Sequence, residues 1–393
     1  MRVNIDRNIL SEFISMGSEI SDKEPGTIFH EIKLMATGDV MYVASVNSIG
    51  SQFFTGKIDG EGCEIIEEGT VCIPGRPFKD ALSLLTSETI SLVSDGCSTQ
   101  ISTDGNEDLA LCGCDPENWP PIPKMSTKAA SFKIQSSILK EIHSLMSFSC
   151  SKDQTKAPVT SILIEITTDG TIHCTSTDQQ RVSFYHGPSG TASDIEMGRF
   201  DQAIKIAMPT DVISCLTNKM LSHVDQTINI SVDASKILFS TPTMRYCCSQ
   251  ETGAEKYPRM RDLLQAKHSF SFSVPRSEFI RISKIVKIVA TKSVCKVSFD
   301  VGESLITLSG KGKINKSNRS KQSISVLDFD GDLMDVYETT VSSEDLNEAI
   351  SSVKTDDVKI GLTITNNDTV GPILTIEQDD VWKHLVFPAR EVE

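Results

Sequence analysis

The sequence predicts an α+β chain of three similar domains, each with two helices packed on antiparallel sheets. A hairpin of alternating apolar and polar residues occurs three times, at His30 to Ser48, Ile162 to Phe184 and Cys295 to Lys313. Each copy lies between two amphipathic helical stretches, and the copies start roughly 130 residues apart, a period that marks repeated domains and not a solenoid.

The middle hairpin shows the pattern most clearly. Ile162, Ile164 and Ile166 alternate with polar residues, as do Ile172 and Cys174, and Asp169-Gly170 between them tolerates the positive φ of a tight turn. Gly38-Asp39 serves the first copy and Gly302 the third.

Taken in order, the first repeat opens on a short strand and a helix, Arg2 to Gly17, with Asp6 placed to cap it and Ile9, Leu10, Phe13 and Ile14 forming a stripe. After the hairpin comes a further strand, and Gly69 to Ile73 then leads into Pro74-Gly75-Arg76 and a second helix, Pro77 to Leu85. Two further strands follow, and Trp119-Pro120-Pro121-Ile122-Pro123 marks a boundary. The second repeat has a helix from Ser136 to Phe148, its hairpin, a strand at Ala203 to Ala207, and a helix carrying Val212, Ile213, Leu216, Met220 and Leu221. Its last strands are TINISVDAS and KILFSTPTMRYCCSQ, and it closes at Tyr257-Pro258. The third begins with FSFSVPRSEFIRISKIVKIVA and has a strand at Val336 to Val341. A helix capped by Ser342 follows, with Glu344 and Asp345 in its first turn, where the helix dipole favours acids. Each repeat therefore reads strand, helix, hairpin, strand, helix, hairpin, with about eight short strands. The predicted domains are 1–124, 125–266 and 267–393.

Composition narrows the function classes. No run approaches the 18 or so apolar residues that span a bilayer, and the start, MRVNIDRNILSEF, lacks a secretory pattern, so a soluble cytoplasmic chain is expected. Eleven cysteines without framework or metal-ligand spacing point to reduced thiols and no metal site. A net charge of −15 argues against gripping nucleic acid by overall charge, though not against encircling it. No nucleophile with a nearby base and no phosphate-binding loop is present, so no catalytic residue, cofactor or enzyme activity is expected.

The order of elements, T-D-x-x-R at Thr177 to Arg181, aromatic-Pro at the ends of the first two repeats and Phe387-Pro388-Ala389-Arg390 at the end of the third together resemble the bacterial DNA polymerase III beta subunit, or beta sliding clamp, family. The resemblance covers essentially the whole chain. It implies a head-to-tail dimeric ring of six domains around double-stranded DNA, acting as a processivity factor. The implied partners are the DNA polymerase, the clamp loader and other proteins carrying short clamp-binding peptides. Helices about 10 Å across make the ring reasonable, since twelve side by side leave roughly 28 Å clear, whereas six cannot surround a duplex. Two copies of this chain supply twelve.

The resemblance also implies sites. A groove for a short apolar peptide of the Gln-Leu-x-Leu-Phe type would take Val159, Thr177, Arg181, Val182, Pro258, Leu263, Phe387, Pro388, Ala389 and Arg390. The chain departs from the family in having Gln179-Gln180 where Gly-His is usual, and in continuing three residues past Arg390. For DNA, the family's contacts map onto Lys23 and Arg76, with Asp211 in place of a basic residue at the fourth helix; Lys79, Lys140, Lys219, Arg276, Arg281 and Lys284 are the basic helix residues expected to face DNA beside them. Leu109 and Leu111 would meet Ile288 and Val289 of a second copy.

Two motifs stand outside this scheme. The run from Lys311 to Lys321 holds five basic residues without an apolar stripe and reads as a solvated loop. Asp328, Asp330 and Asp332 with Gly331 approach a calcium loop, but the glycine and the distal acid are misplaced. The competing reading is a structural or adhesive β-rich protein of three domains, such as a virion component. It would be indifferent to a clamp-binding peptide and to deletion of residues 386–393.

Overall fold

The computed structural model describes all residues except 49–50, 106, 222–224, 251–253, 266–267, 291–293, 301, 313–316, 332–336, 364–371 and 390–393. Twenty-seven strands and six α-helices lie among the described residues. The first repeat contains β1 (Arg2–Asp6), α1 (Arg7–Ile20), β2 (Glu31–Thr37), β3 (Val40–Val46), β4 (Gln52–Asp59), β5 (Cys63–Glu67), β6 (Gly69–Pro74), α2 (Gly75–Leu84), β7 (Thr89–Asp95), β8 (Ser98–Thr103) and β9 (Asp108–Cys112). The second contains β10 (Ala130–Gln135), α3 (Ser136–Met146), β11 (Ser161–Thr167), β12 (Ile172–Thr177), β13 (Arg181–His186), β14 (Ser193–Glu196), β15 (Ala203–Pro209), α4 (Thr210–Cys215), β16 (Thr227–Val232), β17 (Lys236–Ser240) and β18 (Met244–Ser249). The third contains β19 (Phe270–Pro275), α5 (Arg276–Val289), β20 (Val294–Asp300), β21 (Leu305–Lys311), β22 (Arg319–Ser325), β23 (Phe329–Asp330), β24 (Tyr337–Ser342), α6 (Ser343–Ser352), β25 (Asp357–Thr363), β26 (Ile373–Gln378) and β27 (Trp382–Val386).

The three segments share one wiring. In each, the first strand pairs antiparallel with the fifth and seventh, the second with the third and sixth, the third with the fourth, and the last three form a meander. The ninth strand of one repeat then joins the fourth strand of the repeat before it: β18 pairs with β4, and β27 with β13. Two counterparts in this scheme, β9 and β22, are left at sheet edges.

Contacts divide the chain into two compact units. The first comprises Met1–Ser137, Ser193–Asp201 and Ser214–Gln250; the second comprises Ile138–Ala192, Gln202–Ile213 and Glu251–Glu393. Strands of the second repeat are shared between them.

The first unit holds the sheet β5-β1-β7-β8-β9 and the sheet β14-β10-β16-β17-β18-β4-β3-β2-β6. Asp6 caps α1 as its position predicts, its carboxylate accepting the N–H groups of Asn8 and Ile9 at 2.8 and 3.0 Å. The apolar stripe of α1 buries Leu10 and Ile14. Phe13 lies against bare backbone at Gly56, where an added Cβ would meet its ring at 2.2 Å.

The second unit holds the sheet β15-β11-β12-β13-β27-β26-β25-β19-β23 and the sheet β22-β21-β20-β24. Its aromatic core stacks Phe272 on Phe299, with ring centroids 4.6 Å apart. Ser342 caps α6 by accepting the Asp345 N–H at 3.2 Å, and Asn347 of α6 donates to Ser283 of α5 at 2.9 Å.

Four expectations change. Each repeat has nine strands instead of about eight, because a fourth strand follows each hairpin; β22 carries only one buried apolar side chain, Ile324, and backbone pairing to β21 holds it. Lys311 to Lys321 is therefore not a plain loop. Lys311 ends β21, Arg319 opposite it opens β22, and residues 313–316 lie outside the described residues. KILFSTPTMRYCCSQ is two strands and not one, broken at Thr241-Pro242. The fourth helix is also shorter than its stripe suggests, since after Cys215 the chain widens into a π turn, Leu216–Met220, that keeps Leu216 and Met220 buried.

Candidate partner-binding groove

Alternation along β13 sorts its side chains onto two faces of the sheet in the second unit. Val182 and Phe184 point to one face, where Val182 sits opposite Leu385 of β27. Ile373 of β26 completes a buried quartet, and Met260, Leu263 and Phe387 pack against it while still partly exposed. The result is an apolar patch with three half-buried rims, which suits a short peptide with one or two apolar anchors.

The segment from Tyr257 to Leu263 lies along this patch. Tyr257 donates to the Ser161 carbonyl at 3.1 Å, Arg261 pairs with Glu165 at 2.5 Å, and Leu263 N–H bonds the Met260 carbonyl at 3.0 Å. Phe387 N–H donates to the Gln180 carbonyl at 3.1 Å, extending the β13–β27 ladder past Val386.

The turn before β13 sets the rim. Asp178 accepts the N–H groups of Gln180 and Arg181 at 2.9 and 3.1 Å, and the Thr177 hydroxyl donates to the Arg181 carbonyl at 2.6 Å. Gln179 takes φ +78°, the left-handed conformation in which glycine meets no Cβ penalty.

Arg181 lies on the opposite face and is 5% exposed. Its guanidinium meets Asp178 at 3.0 Å, Glu348 at 2.7 Å and Asp345 at 3.3 Å, and its carbon lies 5.4 Å from the centroid of Phe148. Burial works against its charge, but Asp345, Glu348 and Asp178 outweigh it and raise its pKa. Asp345 is nonetheless pushed above the usual carboxylate range, first by its own burial, because one cation is shared among three acids. Ser183, on the same face, bonds His384 Nδ1 at 2.7 Å and Ser149 at 2.6 Å. Burial, helped by Arg181, holds His384 well below its ordinary value and therefore neutral. A polar layer thus fixes β13 from behind while its front stays apolar.

Of the ten expected groove residues, Val182, Leu263 and Phe387 come together in the cluster. Thr177 and Arg181 are buried and satisfied within the fold, so they shape the groove instead of reaching outward. Val159 is buried and is not among the side chains of the cluster. Pro258, Pro388 and Ala389 are half-buried, and Arg390 lies outside the described residues. Sequence reasoning missed Phe184, Met260, Ile373 and Leu385, although the alternation of β13 already places Phe184 beside Val182. A cleft of about 370 Å³ adjoins the cluster at Phe184, with His173, His186, Arg261, Glu377 and Lys383 among its walls. Burial alone would raise Glu377, but hydrogen bonds and charge from His268 and Lys383 prevail and hold it at about 2.

No protein-family profile matches the chain. Curated sequences do. The beta sliding clamp of Staphylococcus epidermidis is 24% identical over 341 residues, 85% of this chain and 84% of that one. The beta sliding clamp of Staphylococcus aureus is 22% identical over 340 residues, 85% and 83% of the two chains. The beta subunit from the DNA polymerase of Streptococcus pyogenes superposes with a TM-score of 0.85 at 15% identity, covering 99% of this chain and 100% of that one. The Bacillus subtilis DNA polymerase sliding clamp gives 0.85 at 18%, covering 99% of each. The chain is homologous to the beta sliding clamps. The Helicobacter pylori beta clamp, solved with a DNA ligase peptide, has a TM-score of 0.82 at 16% identity over 99% of this chain and 100% of that one.

The other positions expected from clamp homology fall as follows. Lys79 of α2 and Lys219 both pair with Glu19 of α1, at 3.4 and 3.5 Å, so their charge is partly compensated. Lys23 is exposed beyond the end of α1, and Arg76 is half-buried in the first turn of α2. Lys140 is half-buried on α3. On α5, Arg281 and Lys284 are exposed on one face, and Arg276 donates to the Ser351 carbonyl at 3.4 Å. Asp345 and Glu348 make α6 acidic in sequence, but both are engaged with Arg181. Leu109 and Leu111 are half-buried on β9, and Val289 is half-buried at the end of α5. Ile288 beside it is 78% exposed. Among the described residues, no helix is long and apolar enough to cross a membrane.

Proposed function

We propose that this protein is a sliding clamp: a non-catalytic processivity factor that encircles duplex DNA in the cytoplasm and tethers polymerases, the clamp loader and other proteins by their short peptides. The repeats 1–124, 125–266 and 267–393 are its three clamp domains. The observation that carries the reading is the repeated strand wiring. Twice within the chain a ninth strand completes a fourth, and the remaining pair, β9 and β22, lies at two open edges. Open edges invite pairing with another chain. A second copy joining β9 to β22 continues the same rule, and two such joints close a ring without leaving either edge free. Exposed Ile288, on the helix packed along β22, supplies apolar surface beside that joint.

Light scattering at micromolar concentration is expected to give twice the 43.0 kDa chain mass. Ile288→Asp is expected to shift the protein to monomer by weakening the joint at least about a hundredfold, two copies of a buried charge costing several kcal/mol. A wild-type monomer at every concentration, without DNA or loader, would leave the joint unsupported.

The DNA-facing assignment rests on the same reading. Lys79 and Lys219 share one acid, so Glu19→Gln frees two cations. Duplex affinity should rise on the order of a few-fold at low salt and converge with wild type as salt increases. Unchanged binding at low salt would place these lysines away from DNA.

A further inference from the structure

We propose that Glu31, Cys72 and Cys114 form a binding site for a thiophilic divalent cation, zinc by its chemistry. Their donor atoms, two thiol sulfurs and a carboxylate oxygen, all lie within 4.8 Å of one another. A tetrahedral zinc with Zn–S near 2.3 Å and Zn–O near 2.1 Å holds its donors roughly 3.3–3.8 Å apart, a contraction of at most about 1.5 Å. Two thiolates with one carboxylate suit zinc and exclude magnesium and calcium, which prefer all-oxygen sets.

The fold brings these residues together from distant sequence. Cys72 lies on β6, fully buried, and Glu31 opens β2, the strand paired with β6. Cys114 follows β9 and reaches them because Gly113 passes so close that an added Cβ would meet the Cys72 carbonyl oxygen at 2.0 Å. The Cys114 N–H donates to Glu31 Oε2 at 2.7 Å, which orients the carboxylate and leaves its remaining lone pairs for a metal. Burial raises the Cys72 thiol to about 11 and the charge of Lys33 opposes this only in part, so a bound cation has to displace the thiol protons itself. The fourth position stays open for water. Binding would release two thiol protons and tie the end of β9 to β6. Metal binding stands apart from the clamp reading; only its expected stiffening of the proposed joint rests on it.

The test uses the full chain, reduced and stripped with a chelator, titrated with cobalt(II) and then zinc(II). A thiolate-to-cobalt charge-transfer band is expected to saturate at one cobalt per chain and to be displaced by zinc. It should be lost in Cys72→Ser and in Cys114→Ser, and kept in Cys63→Ser. Glu31→Gln should weaken cobalt binding by about tenfold or more. Cys114 is only half-buried, so its serine variant is informative even if Cys72→Ser folds poorly. No thiolate band in the wild type, or a band surviving in Cys114→Ser, overturns the site. Light scattering of the wild type with and without zinc then reads the effect on the joint separately.

Discussion

Arg181→Ala is expected to destabilise the protein by about 3–5 kcal/mol, the cost of removing one partner from a buried ionic cluster. The cation is 5% exposed and meets three carboxylates, so its loss leaves Asp345 and Asp178 as half-buried, uncompensated acids. The surrounding network cannot substitute, because burial, the larger cause, still opposes a charge on His384, the nearby titratable ring, after Arg181 is gone. The effect has a defined pH dependence. Asp345 already has a raised pKa, which rises further without Arg181; stability from such a group is present below its unfolded value near 4 and lost as pH climbs through the folded value. The variant should therefore lie closest to wild type near pH 4–5 and fall away toward pH 8. Urea midpoints at both pH values check this. A loss below about 1 kcal/mol at pH 8 would mean the cluster opens to water.

Leu263→Asp combined with Phe387→Asp is expected to abolish binding of a Gln-Leu-x-Leu-Phe type peptide, a loss of at least about a hundredfold. Both side chains pack against the Val182, Phe184, Ile373 and Leu385 quartet but are only partly buried, so the fold should survive the exchange. Each charge would sit where an apolar anchor must be desolvated, which costs more than truncation to alanine. Fluorescence anisotropy with a labelled peptide measures the loss. Ile288→Asp, which acts on the proposed joint, should leave peptide affinity unchanged. Retained affinity in the double variant would move the peptide site away from this face of the sheet.

Local chemistry made much of this molecule legible. The Asp6 and Ser342 caps, the helix stripes and the first two strands of each hairpin follow from residue spacing, because capping and periodicity act within a few residues. Val182, Leu263 and Phe387 were placed in the groove through resemblance, and the cluster unites them. The fourth strand of the third repeat escaped notice because an edge strand such as β22 needs backbone partners more than apolar alternation. Arg181, expected at the groove, turned inward because β13 alternates and position 181 falls on the face opposite Val182 and Phe184.

By itself the sequence determined the threefold order of helices and strands and the resemblance to a clamp, since both are written in short-range pattern. Only the tertiary structure decided which strands meet across repeats, which acids Arg181 neutralises, and that Glu31, Cys72 and Cys114 converge. Apart from Asp178, which lies near Arg181 in the turn, those contacts join residues about 40 to 205 positions apart. Spacing along a chain carries no information about them until the sheets have formed.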